Sequence, residues 1–551
     1  MPNGSDANNE AALNQRLAAF DNNPVAFMNE APPKYDEHGK AIAGSSLFSA
    51  KAIQQKVYLS ARDQQREQAL ADGPRIGTRA AAASNDLAAN LVDELRYKKL
   101  QDMESAKLKT AKLAEQPWSD DYWAIYKGSL GARYGDPRFP DTENWKTNYT
   151  YIQTNKAADI LKSGSAARIN QLSPSEKYDA LIGDNTGTLT KLMWAEGQSF
   201  YDANGSVETW MGLCHGWAVA AYMLPRPKTS VTLFTPSNIA IKFFPADIKA
   251  LATLLWANVP GTSRFIGGRC NDQNPKTDPA TGRITSEQCF DTNPGTWHLA
   301  VVNQIGLGKR SFVLDATFDY EVWNQPILGY SYTYFNPQTR RATNTLAEAK
   351  VAVNAFTNDK FKRFRSANAR AIVGISMTVS YMVETTPLQR DTDAATMDAI
   401  QQVVYEYDLE LDASDVIIGG EWYRNRHPDF LWTPVKNVKA QTRFENNASG
   451  TWNTRQALPQ AWRTAALQAA NQQRAPLSKI VEQLLSLSKE TSTSQPTPPP
   501  LPTPPNRGTG SSTPSTPPTT GGSSNSTTTP TRPSTSGNSF LDWLRSFLNR
   551  R

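Results

Sequence analysis

One set of three segments constrains the fold more than any other feature. Residues 212–218, Gly-Leu-Cys-His-Gly-Trp-Ala, place Cys214 at the start of an apolar helix. His298 and Asp315 follow in the runs Trp-His-Leu-Ala-Val-Val and Val-Leu-Asp, which are rich in the residues that favour strands. We therefore predict an α+β fold in which the cysteine helix packs on an antiparallel sheet.

These three residues also predict a chemistry. At a helix N-terminus, unpaired backbone N–H groups and the helix dipole favour the thiolate form of cysteine, which is the nucleophile. We predict a Cys214–His298–Asp315 triad that transfers an acyl group through a thioester. A buried structural cysteine is the alternative when Cys214 is considered alone.

The choice of base rests on the small number of histidines. The chain has four, and only His298 lies in a strand-like run shortly before an aspartate. His215 directly follows Cys214, and neighbouring side chains on a helix point about 100° apart, so we predict a packing or surface role for it. Asp319 competes with Asp315, and either aspartate also fits a turn at the end of a strand.

The developing oxyanion needs hydrogen-bond donors. The backbone N–H of Cys214 is the first candidate, and the indole N–H groups of Trp194 and Trp210 are further candidates, although most tryptophans only pack. Cys270 and Cys289 flank a polar loop before His298, and we predict a disulfide between them, with two reduced thiols as the alternative. Zinc is disfavoured there because no second histidine is near.

The rest of the chain divides by composition. Residues 1–50 show little periodicity and are predicted to be mostly disordered. Residues 51–116 are predicted to form a helical arm or pro-segment, because apolar residues from Leu91 to Leu113 recur at near-helical spacing. The catalytic domain is placed at 117–490, where Ser173-Pro174-Ser175-Glu176 predicts a capped helix.

The C-terminal region is predicted to carry no core. Residues 491–537 are almost entirely Ser, Thr, Pro and Gly, which is typical of an extended linker. Residues 538–551 predict an amphipathic helix with Phe540, Leu544 and Phe547 on one face, a candidate for membrane or protein docking. A frayed terminus is the alternative.

Composition excludes some functions. The chain has 551 residues, of which 39% are hydrophobic, enough for a sizeable core. Its net charge of +6 is spread along the chain with no dense basic run, so a nucleic-acid partner is not expected. We find no membrane-spanning stretch, and the first residues are too polar for a secretory signal, so any export route is unknown.

The chain resembles the transglutaminase elicitor family, secreted enzymes of oomycete plant pathogens with bacterial relatives. The resemblance covers roughly residues 117–400 and rests on the Cys214 helix, the segment 293–298 (Asn-Pro-Gly-Thr-Trp-His) and the segment 314–317 (Leu-Asp-Ala-Thr). A further match is the motif Val322, Trp323, Asn324, Gln325 and Pro326, which in that family begins a surface peptide perceived by plants.

This resemblance implies a papain-like, transglutaminase-type core. It implies that Cys214 attacks a protein glutamine, that His298 protonates the departing ammonia and that a lysine or other primary amine completes a cross-link. No cofactor is needed for the thiol chemistry, calcium is implied by the resemblance only, and secretion is implied likewise. The alternatives are a glutamine deamidase or cysteine protease with the same triad, and a non-enzymatic surface recognition protein in which the Trp323 segment binds a partner.

Overall fold

The computed structural model describes residues 4–29, 34–35, 41–42, 86–268, 275–286, 289, 292–316 and 322–489. The α-helices of these ranges are α1 (Gly4–Asn22), α2 (Pro24–Met28), α3 (Leu100–Ser105), α4 (Trp145–Thr154), α5 (Ala157–Lys162), α6 (Ala166–Asn170), α7 (Pro174–Ile182), α8 (Thr188–Asn204), α9 (Cys214–Met223), α10 (Pro245–Asn258), α11 (Pro294–Val301), α12 (Leu346–Ala349), α13 (Gln460–Gln473) and α14 (Ser478–Leu487). The strands are β1 (Lys34–Tyr35), β2 (Ala41–Ile42), β3 (Thr110–Lys112), β4 (Val231–Phe234), β5 (Ala240–Phe243), β6 (Ser263–Gly267), β7 (Val313–Asp315), β8 (Asn324–Asn336), β9 (Arg341–Thr343), β10 (Lys350–Ala352), β11 (Ala371–Val383), β12 (Ala399–Leu411), β13 (Ile417–Trp422) and β14 (Phe430–Pro434).

The centre of the molecule is an antiparallel sheet. Its strands follow the order β13-β12-β11-β8-β7-β14-β6, and β3, β9 and β10 pair at its margins. Strand β8 pairs with β11 along one edge, while β7, β3 and β9 occupy successive stretches of the other edge. The first seven residues of β8 are all buried, so this strand forms the middle of the core.

Helix α9 packs on this sheet and against helix α10. Its residues from Gly216 to Ala221 are all buried. A Cβ atom at Gly216 would lie 2.3 Å from the carbonyl oxygen of Thr253 in α10, so glycine is what allows the two helices to approach this closely. The prediction of an α+β fold with the cysteine helix on an antiparallel sheet is confirmed.

The predicted cap before helix α7 is also confirmed. The Ser173 hydroxyl accepts the Glu176 N–H at 3.3 Å, and the Glu176 carboxylate accepts the Ser173 N–H at 2.9 Å. Glu176 additionally forms a buried ion pair with Arg133 at 2.7 Å. The capping box therefore joins the helix to the segment that precedes it.

The prediction that the N-terminus is mostly disordered is wrong for residues 4–29. Leu13, Leu17 and Phe20 recur at helical spacing on α1, and all three are buried against a cluster that includes Phe335 and Tyr423. The high content of Asn and Ala in this segment hides the stripe in the sequence. An apolar face of three residues is enough to dock a helix when a groove of the fold receives it.

The predicted long helix through residues 91–113 is also wrong. The apolar residues are buried as expected, but they lie on a short 3-10 turn, an extended segment, α3 and β3, which pairs with β8. Side chains of the core fix the extended part: the Asn303 oxygen accepts the N–H groups of Arg96 and Tyr97 at 3.1 and 2.9 Å. Residues 92–112 therefore belong to the core and are not a detachable arm.

Residues 299–305 form a helix and not the predicted strand. Helix α11 continues into a π-helical turn at Val302–Leu307. The start signal is present in the sequence: the Asn293 side chain accepts the Gly295 N–H at 2.8 Å, and Pro294 occupies the first turn. Our prediction of a strand gave more weight to the β-branched residues than to this helix cap.

Two C-terminal helices complete the core. Ile480, Val481 and Leu484 of α14 have no exposed surface, and Trp462 of α13 is buried. The linker at 491–537 and the helix predicted at 538–551 lie outside the described residues. Within the described ranges, no helix has the length and apolar character to cross a membrane.

Candidate active site

Cys214 is the first residue of helix α9, and its side chain is 6% exposed. The chain before it is held by Tyr122, whose carbonyl oxygen accepts the Leu213 N–H at 2.5 Å. A Cβ atom at Gly212 would lie 2.4 Å from that same oxygen. Glycine is thus required by the close approach of Tyr122, which fixes the entry to the helix and so the position of the thiol.

The thiol makes hydrogen bonds to the beginning of strand β8. Cys214 Sγ lies 3.6 Å from the carbonyl oxygen of Val322, and the Asn324 amide donates to Sγ at 3.4 Å. The Trp432 indole N–H in turn donates to the Asn324 side-chain oxygen at 2.8 Å, which orients the amide. The Val322 carbonyl oxygen accepts the S–H of the thiol form, and the Asn324 N–H is the donor available to the sulfur once that proton leaves.

Sequence reasoning missed this role of Asn324 and Trp432. Asn324 was assigned only to the surface motif, and Trp432 lies more than 100 residues away in a different strand. The sequence signal for Asn324 is its position at the start of the first strand after the strand of Asp315. A short connection allows the second strand to pair antiparallel with the first. Nothing in the sequence distinguishes Trp432 from the other tryptophans.

Asp315 lies in the same cluster. It is the last residue of β7, it has no exposed surface, and it stands opposite Asn324 in the register of β7 and β8. One of its carboxylate oxygens accepts the Trp323 N–H at 3.0 Å. Cys214 and Asp315 are therefore neighbours of the same asparagine.

His298 lies in a different environment. It is on helix α11, fully buried, with Nδ1 2.8 Å from the Tyr407 hydroxyl and its ring 4.8 Å from that of Tyr332. Its Nε2 has no hydrogen-bond partner among the described residues. Burial lowers the pKa of His298 to about 3, so the imidazole is neutral at pH 7.

The structure thus brings two of the three predicted triad residues together. Tyr407, and not Asp315, is the partner of His298 Nδ1. Tyr332, which His298 contacts, lies eight residues further along β8 than Asn324, which contacts Cys214. No hydrogen bond joins His298 to Cys214 among the described residues.

Neither candidate tryptophan donates to the thiol. Trp194 is buried among Trp145 and Tyr149, and a Cβ atom at Gly131 would lie 2.4 Å from its Nε1, so it is a packing residue. The Trp210 indole N–H donates to the Glu208 carboxylate. Among the described residues, the side-chain donor at the sulfur is Asn324, and the prediction of an oxyanion donor stays a prediction.

The prediction of a surface motif at residues 322–326 is wrong. Val322, Asn324, Gln325 and Pro326 are buried, and Trp323 is half-buried against the Tyr122 ring at 5.5 Å. The reason is topological, because this segment leads into the central strand of the sheet and contacts the thiol. The motif is therefore part of the candidate active site.

The remaining predicted residues are placed as follows. His215 is half-buried on α9. Cys289 is buried, but its predicted partner Cys270 lies outside the described residues, so the disulfide stays a prediction. The competing Asp319 also lies outside them. Among the residues that the structure describes, no group of three or more His, Cys, Asp or Glu side chains is arranged to hold a metal ion.

The fold and the site define an α+β protein with a buried thiol at a helix N-terminus, an arrangement that thiol acyl-transfer chemistry uses. The chain belongs to the transglutaminase elicitor family, whose sequence profile matches residues 92–449. It is also similar to the crystal structure of the GP42 transglutaminase from Phytophthora sojae, with 21% identity over 71% of this chain and 93% of that chain and a TM-score of 0.44. No curated protein matches the chain.

Proposed function

We propose that this protein is a protein-glutamine γ-glutamyltransferase with Cys214 as its nucleophile. The observation that carries the proposal is the thiol itself, which begins an apolar helix and accepts a hydrogen bond from Asn324 at 3.4 Å. Membership of the transglutaminase elicitor family supports the choice of glutamine as acyl donor.

In the first half-reaction, the Cys214 sulfur attacks the γ-carboxamide carbon of a protein-bound glutamine. The C–N bond breaks, ammonia leaves with a proton supplied at its nitrogen, and a thioester remains. The Asn324 amide and the backbone N–H of Cys214 are the donors that we assign to the oxyanion of the tetrahedral intermediate. Asn324 suits this role because Trp432 fixes the amide from its other side.

In the second half-reaction, a primary amine attacks the thioester carbon. The C–S bond breaks, the sulfur leaves as a thiolate and is reprotonated by the proton that the amine nitrogen loses. The product is an isopeptide bond between glutamine and lysine. Water as the nucleophile gives deamidation instead.

His298 is not assigned to this proton transfer. It contacts Tyr332, eight residues along strand β8 from Asn324, the residue that contacts the thiol, and at roughly 3.3 Å per strand residue this separation is too long for a hydrogen bond to Cys214. In this scheme Asp315 positions the thiol cluster by holding the Trp323 N–H.

The burial of residues 322–326 bears on the non-enzymatic alternative. A recognition protein would present the Trp323 segment to its partner, whereas Val322, Asn324 and Gln325 face the interior. The burial of these residues therefore favours an enzyme in which the motif supports the thiol over a recognition protein. Deamidation and proteolysis share the same nucleophile and differ only in the bond that is broken and the acceptor.

The test is incorporation of a fluorescent primary amine into a glutamine-containing protein, with ammonia and new N-termini followed in parallel, with and without calcium. We expect wild type to release ammonia and to incorporate the amine, and Cys214→Ala to do neither. Ammonia without incorporation would identify a deamidase, and new N-termini would identify a protease. Equal signals from wild type and Cys214→Ala would reject Cys214 as the nucleophile.

A further inference from the structure

The carboxyl groups of Asp121 and Glu384 interact electrostatically in chain segments that adjoin the thiol cluster. The Thr385 N–H donates to the carbonyl oxygen of Asp120 at 2.9 Å, which holds their chain segments together and places Asp121 beside Glu384. Both side chains are half-buried. Burial raises the pKa of Asp121 to about 6 and that of Glu384 to about 7, and the charge of Asp121 adds to the shift of Glu384.

Gln325 fixes the second of these carboxyl groups. Its amide nitrogen lies 2.9 and 3.0 Å from the two oxygens of Glu384. Gln325 is only 3% exposed, yet its side-chain oxygen has no hydrogen-bond partner in the part of the chain that the structure describes. No cation contributes to the electrostatic environment of Glu384 there. Buried acceptors without partners are rare in folded proteins and mark a place where a donor is expected.

This oxygen cluster adjoins the residues that contact Cys214. Gln325 directly follows Asn324, the donor to the sulfur, and Asp121 directly precedes Tyr122, whose carbonyl oxygen holds Leu213. The rings of Tyr122 and Trp323 pack at 5.5 Å between the two positions. Asp121 already accepts the Trp123 N–H at 3.0 Å and Glu384 accepts the Gln325 amide, so the cluster offers one unpartnered amide oxygen and two carboxyl groups that can accept further donors.

We propose that Asp121, Glu384 and Gln325 form the acceptor subsite, which binds the ammonium group of a lysine or other primary alkylamine beside the Cys214 thioester. The Glu384 carboxylate takes one proton from the bound nitrogen, and the neutral amine then attacks the thioester carbon. An alkylammonium group brings three N–H donors and one positive charge, which match one unpartnered amide oxygen and two carboxyl groups. The aromatic faces of Tyr122 and Trp323 suit the aliphatic stem of such an amine. This proposal rests on the proposed function and names the acceptor chemistry of the same site.

The experiment compares two nucleophiles with a glutamine-containing peptide as donor. Cadaverine carries the ammonium group, whereas hydroxylamine is uncharged at neutral pH. The full-length wild type is compared with Glu384→Gln, Asp121→Asn and Glu384→Asp, and with Glu482→Gln as a matched control at an exposed ion pair with Lys439. Ammonia released in the first turnover, without added amine, measures the first half-reaction separately, and thermal unfolding checks that each variant is folded.

We expect Glu384→Gln and Asp121→Asn each to raise KM for cadaverine roughly tenfold, the effect of losing one charge-assisted contact, with Glu384→Asp recovering part of it. KM for hydroxylamine and ammonia release should not change. Unchanged KM for cadaverine in both neutral variants overturns the subsite and leaves the proposed function intact, and so does an equal rise for both nucleophiles. Absence of ammonia release by the wild type overturns the proposed function and the subsite together.

Discussion

At the scale of single residues, the thiol is defined by its immediate donors more than by the histidine that the sequence suggested. Asn324 contacts the sulfur directly, and Trp432 holds the asparagine by a hydrogen bond of 2.8 Å. His298 instead bonds Tyr407. The two sets of contacts lead to separate predictions, one about reactivity and one about stability.

We predict that Asn324→Ala lowers kcat by about 10²- to 10³-fold, the usual loss for one oxyanion donor. It should also slow alkylation of Cys214 by iodoacetamide at neutral pH, because the thiolate loses an N–H donor. Trp432→Phe keeps the ring but removes the donor to Asn324, so a smaller loss in both measurements is expected. Alkylation that is equally fast in all three proteins would contradict the assignment.

We predict that His298 makes stability depend on pH between about 3 and 6.5. The unfolded chain binds the proton at the ordinary pKa of 6.5, whereas the folded imidazole binds it only near 3. The unfolded state therefore holds one more proton in this window, so the contribution of the buried histidine is lost as pH falls. The advantage of wild type over His298→Gln in free energy of unfolding should shrink by about 1.4 kcal/mol per pH unit.

Urea denaturation at a series of pH values measures this slope. Tyr407→Phe is the matched control, because it removes the hydrogen bond at Nδ1 but keeps the imidazole, and so it should keep the pH dependence. A difference between wild type and His298→Gln that is constant from pH 7 to pH 4 would mean that His298 is not buried as a neutral ring.

At the scale of elements, helix α1 covers the part of the sheet that includes Phe335 and the neighbouring Tyr423. Phe20 stacks on Tyr423 with ring centroids 4.6 Å apart, and Arg16 and Asp21 pair with Glu406 and Arg340 at 2.5 and 3.0 Å. The buried apolar side chains and the two ion pairs beside them therefore hold helix α1 in a single orientation on the sheet.

We predict that Phe20→Ala destabilises the protein by about 3 to 5 kcal/mol, because a fully buried ring is lost from a packed cluster. Gln15→Ala changes an exposed position of the same helix and should alter stability by less than about 0.5 kcal/mol. Thermal unfolding of the two variants tests the contrast. Equal midpoints would mean that α1 does not dock on the sheet in solution.

At the scale of the whole molecule, the sequence predicted the α+β class and the helical position of Cys214 but not the path of the chain around them. The cysteine helix was recognisable from its run of apolar residues, although Leu213 before it provides no side-chain cap. The helix after Ser173 was recognisable from its capping box. The partners Asn324 and Trp432 were not, because side-chain contacts between β8 and β14 depend on strand order. The strand predicted after His298 failed because β-branched residues are also tolerated in a capped helix once tertiary packing covers them.

The folding unit extends beyond the segment that the family profile matches. The family match stops at residue 449, whereas the compact unit extends to Thr497 and includes α13 and α14. Burial of Ile480, Val481 and Leu484 contributes roughly 1.5 to 3 kcal/mol each, which together approaches the net stability of a typical domain.

We therefore expect a chain cut after Thr497 to unfold at the wild-type temperature and to keep amine incorporation. A chain cut after Ser449 should lose its cooperative unfolding transition, because it exposes the face that α13 and α14 cover. The two truncations differ by only 48 residues, so their comparison by thermal unfolding isolates the contribution of these helices. A cooperative transition in the shorter chain would place the end of the folding unit at the family boundary instead.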